Sequence, residues 1–175
     1  MTRLQLHTLL SGGDRRSIAD SKRARLLIEG DRSLIAQLIA LTEDENWLIV
    51  QRALDLLEKI AQEHPDWVEP YKKLFIGRLS KREQWEIRLQ IVRALPLFRW
   101  TPAQARRVEA ILRENLDFPQ TFVRAWALDS LARFSEHRPK LSAVVERQLR
   151  KFERSSSKAL QARARHIRER LADRK

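Results

Sequence analysis

Apolar positions recur at helical spacing along most of the chain, and three stretches share one register: "WLIVQRALDLLEKI" from Trp47, "WEIRLQIVRALPLF" from Trp85 and "TFVRAWALDSLARF" from Thr121. When these are aligned, Ile49, Ile87 and Val123 coincide, as do Leu57, Leu95 and Leu131, at offsets of 38 and 36 residues. A weaker copy, "LQARARHIRERL", aligns Ala162 with Val123 at an offset of 39, and "SIADSKRARLL" aligns Ile18 with Ile49 at 31. Spacings of three and four within each copy put the apolar side chains on one helical stripe. A period of this size predicts stacked two-helix units, each burying its apolar face against the next.

The pattern predicts first helices over 34–41, 68–79, 102–116 and 140–152, preceded by a short helix at 4–10. The second helices fall at 47–62, 84–98, 119–134 and 156–171, preceded by 14–28. Proline in "HPDW", "WTPAQ", "DFPQ" and "HRPKL" sits at helix starts or just past helix ends, where its missing amide costs little. Thr101 before Pro102, with Gln104 three residues on, predicts an N-cap and capping box; Ser33 and Asp44 are further capping candidates. Repeats then lie at about 1–30, 31–66, 67–100, 101–137 and 138–175, within one domain spanning 1–175. The expected architecture is all-α, a right-handed α-solenoid of four to five antiparallel helix pairs.

An apolar residue and Arg, followed by small and apolar residues, as in "IRLQIVRAL" and "VRAWALDSL", resembles the second helix of HEAT repeats. "LIALTEDENWLIVQRALDLLEKI" has that family's order of helix, acidic turn and helix, and the chain from about residue 31 onward is similar to small bacterial HEAT-like proteins. The resemblance implies the solenoid fold and a binding or scaffold role without naming a ligand. It also implies that Arg124 donates to the turn or to a neighbouring repeat, with Asp117 as acceptor. Certain DNA glycosylases that remove alkylated bases are HEAT-like and carry an Asn-Trp-x-x-Val-Asp stretch. In "NWLIVQ", Asn46, Trp47 and Val50 match, but Gln51 replaces the carboxylate and can neither stabilise a developing cation nor act as a base. No catalytic residue is therefore expected.

Composition agrees: four Gly, six Pro and 33% charged residues suit a helical protein. The absence of Cys excludes disulfides, thiol catalysis and thiolate metal sites. His7, His64, His137 and His166 form no i, i+4 pair, and "SGGDRR" lacks the phosphate-loop pattern, so no metal, cofactor or small-molecule substrate is expected. No apolar run approaches the roughly 20 residues that span a membrane, and "MTRLQLHTLLSGG" lacks a signal-cleavage pattern. A cytoplasmic protein is expected.

Charge changes the picture more. The net charge is +12, and residues 138–175 hold 13 Lys+Arg against 4 Asp+Glu, whereas 31–137 hold 16 of each. In the helix from Lys140, Leu141, Val144, Val145, Leu149 and Phe152 form the apolar stripe, with Arg147, Arg150, Lys151 and Arg154 on the opposite arc. In the last helix, Leu160, Ala164, Ile167 and Leu171 are flanked by Arg163 and Arg170 on one side and by Arg165 and Arg168 on the other. Such Arg-rich arcs suit carboxylate or phosphate, and "ERSSSK" adds hydroxyls and helix-start amides. An acidic protein partner is the first expectation, with nonspecific nucleic-acid binding through phosphates as the alternative. A solvated terminal cap competes with both, and without an exposed apolar face no membrane surface is expected.

Two structural expectations complete the reading. Asp55 and Asp129 share a register position that Arg93 takes in the repeat between them, which predicts an inter-repeat ladder Asp55, Arg93, Asp129. Trp47 and Trp85 also share a position, and Trp126 lies with Val123, Ala127, Leu131 and Phe134, so all three are expected in the core or between repeats. Trp67 and Trp100, ahead of first helices, are expected to act as staples.

Overall fold

Each second helix starts from a polar residue in extended conformation, and these residues, Asn46, Gln84, Gln120 and Ser157, are 38, 36 and 37 positions apart. The structure is a computed structural model that describes residues 3–173. Its helices are α1 (Arg3–Leu10), α2 (Ser21–Gly30), α3 (Leu34–Ala40), α4 (Trp47–Glu63), α5 (Pro65–Val68) and α6 (Lys73–Ile76). There follow α7 (Trp85–Ala94), α8 (Pro102–Asn115), α9 (Thr121–Ser135), α10 (Ser142–Glu153) and α11 (Lys158–Ala172). No strand occurs among the described residues, and none of their helices is long and apolar enough to cross a membrane.

Helices α4, α7, α9 and α11 form one layer, each packed against the next, while α8 and α10 pack on α9 from the other side. The short helices α1, α2 and α3 close the N-terminal end around α4. The register residues Ile49, Ile87, Val123, Leu57, Leu95 and Leu131 are all buried, so the repeat period is the period of the core. In α11, Leu160 and Ala164 take the buried places and Ala162 is only half-buried, so the last repeat runs at 37 residues rather than 39.

The Thr101 capping box forms: Thr101 Oγ1 accepts the Gln104 amide at 3.3 Å, and Gln104 Oε1 accepts the Thr101 amide at 3.1 Å. At α4 the cap is Asn46, whose Oδ1 accepts the Leu48 amide at 3.0 Å; Asp44 stands one step outside and accepts the Asn46 amide. Ser33 does not cap α3, since its amide and hydroxyl both donate to Asp31.

Two stretches depart from the helical expectation. Residues 68–79 break into 3-10 turns on either side of α6, because Pro70 lacks an amide and its ring clashes with the carbonyl four residues back, and Gly77 leaves helical space at ψ −149°. Residues 11–20 form a loop in which Gly12 and Gly13 take φ of 85° and 64° and Ala19 takes 48°. Ile18 therefore sits in a loop, 50% exposed, and is not the core equivalent of Ile49.

Candidate functional site

Burial of Val145, Leu149 and Phe152 turns the opposite arc of α10 outward. Arg147, Arg150, Lys151 and Arg154 are all exposed there and, with Ala143 and Glu146, line an open hollow of about 600 Å³. Among the described residues the Arg147 and Arg154 side chains have no ion-pair or hydrogen-bond partner. Arg150 donates to Glu146 at 3.0 Å, and Lys151 reaches Asp117, whose side chain is 74% exposed, at 2.9 Å. Solvent-facing pairs of this kind contribute at most about 1 kcal/mol, so an incoming anion displaces them at little cost.

Arg168 behaves differently. Its guanidinium holds Glu146 at 2.6 and 3.0 Å and Glu153 at 2.7 and 3.3 Å. Hydrogen bonds from Arg168 and Arg150 bring the Glu146 carboxyl down to about 2, and Arg168 itself is held above its ordinary range. Arg168 is thus no free contact for a partner; it neutralises the two acids that α10 carries. Arg165, three residues earlier on the same flank of α11, is exposed and has no partner among the described residues. Arg163 faces the other flank, 3.6 Å from Asp129, and stands apart from the α10 arc.

The ladder Asp55, Arg93, Asp129 does not form. Asp55 pairs with Lys59 in its own helix at 2.7 Å and accepts Gln90 Nε2 at 3.2 Å. Arg93 is long enough to reach a turn further, where it pairs with buried Glu58 at 3.0 Å while lying 4.8 Å from the Trp126 ring. Asp129 accepts from Arg133 at 2.8 Å and from Arg170 at 2.9 Å, fastening α9 to α11. Arg124 and Asp117 do not meet either. Arg124 sits in the first turn of α9 and donates to Thr121 Oγ1, and Asp117 points outward to Lys151. Donation to a turn falls instead to Arg88, which bonds the Arg82 carbonyl at 2.6 Å and Glu114 at 2.8 Å, and to Arg52. Arg52 is buried and donates to the carbonyls of Leu10, Asp14 and Ser17; its only sequence signal is a lone Arg inside the apolar run of α4.

On the face of the second helices, Trp126 is half-buried between Arg93 and Arg163, the latter 4.0 Å from its ring, so it is a core edge rather than core. Beside it a hollow of about 460 Å³ is lined by Glu58, Gln62, Arg93, Asp129 and Arg133. Burial pushes the Glu58 carboxyl up despite Arg93 and Gln62. Burial also opposes ionisation of Asp129, but hydrogen bonds from Arg133 and Arg170 prevail and hold it below its usual range. Both carboxylates are committed to neighbouring side chains. Trp67 lies inside α5 and stacks back on His64 at 4.4 Å, and Trp100 meets Phe98 edge-on while its Nε1 donates to the Leu95 carbonyl, so the contacts of both run to the preceding turn, where staples to the following turn were expected. No group of three His, Asp or Glu among the described residues is arranged to hold a metal ion.

No family model and no curated protein matches the chain. Among solved structures, a designed armadillo repeat protein is similar over 94% of this chain and 79% of its own, with a TM-score of 0.60 and 18% identity. Computationally designed armadillo repeat proteins for modular peptide recognition match over 93% and 71%, with a TM-score of 0.55 and 17% identity. These likenesses show the fold, an all-α helical-repeat solenoid.

Proposed function

We propose that this solenoid is a non-catalytic binding scaffold that takes an acidic segment of a protein partner on the outer arc of α10. The observation that carries the reading is the state of the charges: Arg147 and Arg154 are exposed and unengaged among the described residues, whereas Glu146 and Glu153 are neutralised by Arg168. The arc therefore attracts anions without carrying free acids that repel them. Arg forks match carboxylates with two parallel hydrogen bonds. The 12 residues of α10 extend for about 18 Å, the reach of five or six residues of extended chain. The similar designed proteins for modular peptide recognition favour a protein segment over nucleic acid as the partner.

Fluorescence anisotropy tests this with a labelled Asp/Glu-rich peptide, labelled duplex DNA and labelled RNA over a salt series. The protein is compared with the variant Arg147→Gln, Arg150→Gln, Lys151→Gln, Arg154→Gln. The peptide binds at physiological salt and the variant loses at least about tenfold in affinity, since each exposed charge-assisted contact contributes of order 0.5 kcal/mol. Tight DNA or RNA binding with a steep salt slope, and none to the peptide, replaces the protein partner with nucleic acid.

A further inference from the structure

The loop at 11–20 is drawn over one end of the second-helix layer by Arg52, which bonds the carbonyls of Leu10 at 2.7 Å, Asp14 at 3.0 Å and Ser17 at 2.9 and 3.1 Å. From this loop Arg15 reaches towards α4 and α7. Its guanidinium lies 5.7 Å from the Trp47 ring and 5.9 Å from the Trp85 ring, and its Nε donates to Glu86 Oε1. Beside it opens a hollow of about 550 Å³ lined by Ile18, Gln51, Trp85, Glu86, Leu89 and Gln90, together with the loop.

Two acceptors in that lining are buried without a hydrogen-bond partner: Oε2 of Glu86 and Oε1 of Gln90, in residues 7% and 4% exposed. A buried polar atom left unsatisfied is unfavourable, and Arg15, which donates to Oε1 of Glu86, leaves both of these acceptors unpaired. One acceptor is anionic and the indole faces attract cations, so a donor that serves the slot more fully than Arg15 is also positively charged. A guanidinium meets both conditions, with five N–H groups in one plane. The apolar Leu89 and half-exposed Ile18 line the path for its methylene stem.

We propose that the slot formed by Trp47, Trp85 and Glu86 takes an Arg side chain from a basic segment of a protein partner, and that Arg15 fills it in the free protein as a built-in competitor. A second cation cannot simply add, because Arg15 and Arg16 already face the hollow and Glu86 is its single carboxylate. The guest therefore displaces Arg15. Departure is easy because the Arg15 side chain is 57% exposed, while Arg52 keeps the loop backbone in place at Asp14 and Ser17. The slot lies on α4, α7 and the 11–20 loop and shares no lining residue with the α10 arc.

The test uses anisotropy of a fluorescein-labelled Gly/Ser peptide carrying two Arg, at physiological salt, with the same peptide carrying uncharged citrulline as control. The whole chain is compared with Arg15→Ala and with Arg15→Ala, Glu86→Gln, each checked by thermal melting. Removing the competitor tightens Arg-peptide binding about fivefold, because the binding-competent fraction rises. Adding Glu86→Gln abolishes the gain, citrulline peptide shows none, and neutralising the α10 arc leaves the gain intact. Three results overturn the proposal: Arg15→Ala binds the Arg peptide no tighter than the unmodified chain, the gain survives Glu86→Gln, or the citrulline peptide gains equally. The first is decisive by itself, since Arg15 lies on an exposed loop.

Discussion

Replacing Asp129 with Ala removes the anion that joins α9 to α11. Its carboxylate is 1% exposed and holds Arg133 at 2.8 Å and Arg170 at 2.9 Å, with Arg163 at 3.6 Å. Removing one partner of a buried ion pair costs about 3–5 kcal/mol because an uncompensated charge stays behind. Here the stranded Arg163 and Arg170 side chains are 25% and 21% exposed and regain some water, so the cost falls at the lower end, about 3 kcal/mol. For a chain of this size that lowers the Tm by roughly 6–12 °C. Urea unfolding followed by far-UV circular dichroism measures it, and a cycle with Arg170→Met isolates a coupling of about 1–3 kcal/mol. The sign with pH follows from the direction of the shift. A carboxyl held below its unfolded value of about 3.9 adds stability above that pH and loses it as pH falls through the folded value. The gap between Asp129→Ala and the unmodified chain should therefore narrow in strong acid. A gap under about 0.5 kcal/mol at pH 7 refutes the claim that Asp129 fastens the last repeat.

Other outcomes follow from the same contacts. Arg168→Ala frees Glu146 and Glu153, so it weakens acidic-peptide binding although Arg168 touches no partner; anisotropy reads this, and the melt moves by less than about 1 kcal/mol because the pairs are solvent-facing. Carboxyl NMR titration places Glu146 at about 2 in the unmodified chain, and Arg168→Ala returns it towards the ordinary value of about 4.3. Glu58 is shifted the other way: its folded pKa is raised, so its contribution is complete below about pH 4 and is lost as pH rises through the folded value. Glu58→Gln should then raise the urea midpoint at pH 7 and leave it unchanged near pH 3.5.

Much of the fold was legible because helical period and capping are local properties. Ile49, Ile87 and Val123 mark the repeat without any knowledge of neighbours, and the Thr101 box lies within four residues. The break at Pro70 is also a local signal, a missing amide inside the helix expected over 68–79. Charge pairing was less legible, because long side chains choose among acceptors that only the assembled layers bring near. Arg93 reached Glu58 rather than Asp55, and Arg168 turned from a free cation into a neutraliser of α10. The α10 arc could be read because it lies on one helix; the Trp47, Trp85 and Glu86 slot joins two helices and a loop.

The most direct test of the central claim is amide chemical-shift mapping of the isotope-labelled protein during titration with the acidic peptide. The account predicts that shifts gather on residues 147–154 and around Arg165, and vanish when the α10 arc is neutralised. Shifts confined to the second-helix face around Trp85 and Trp126, or unchanged by that neutralisation, would contradict it.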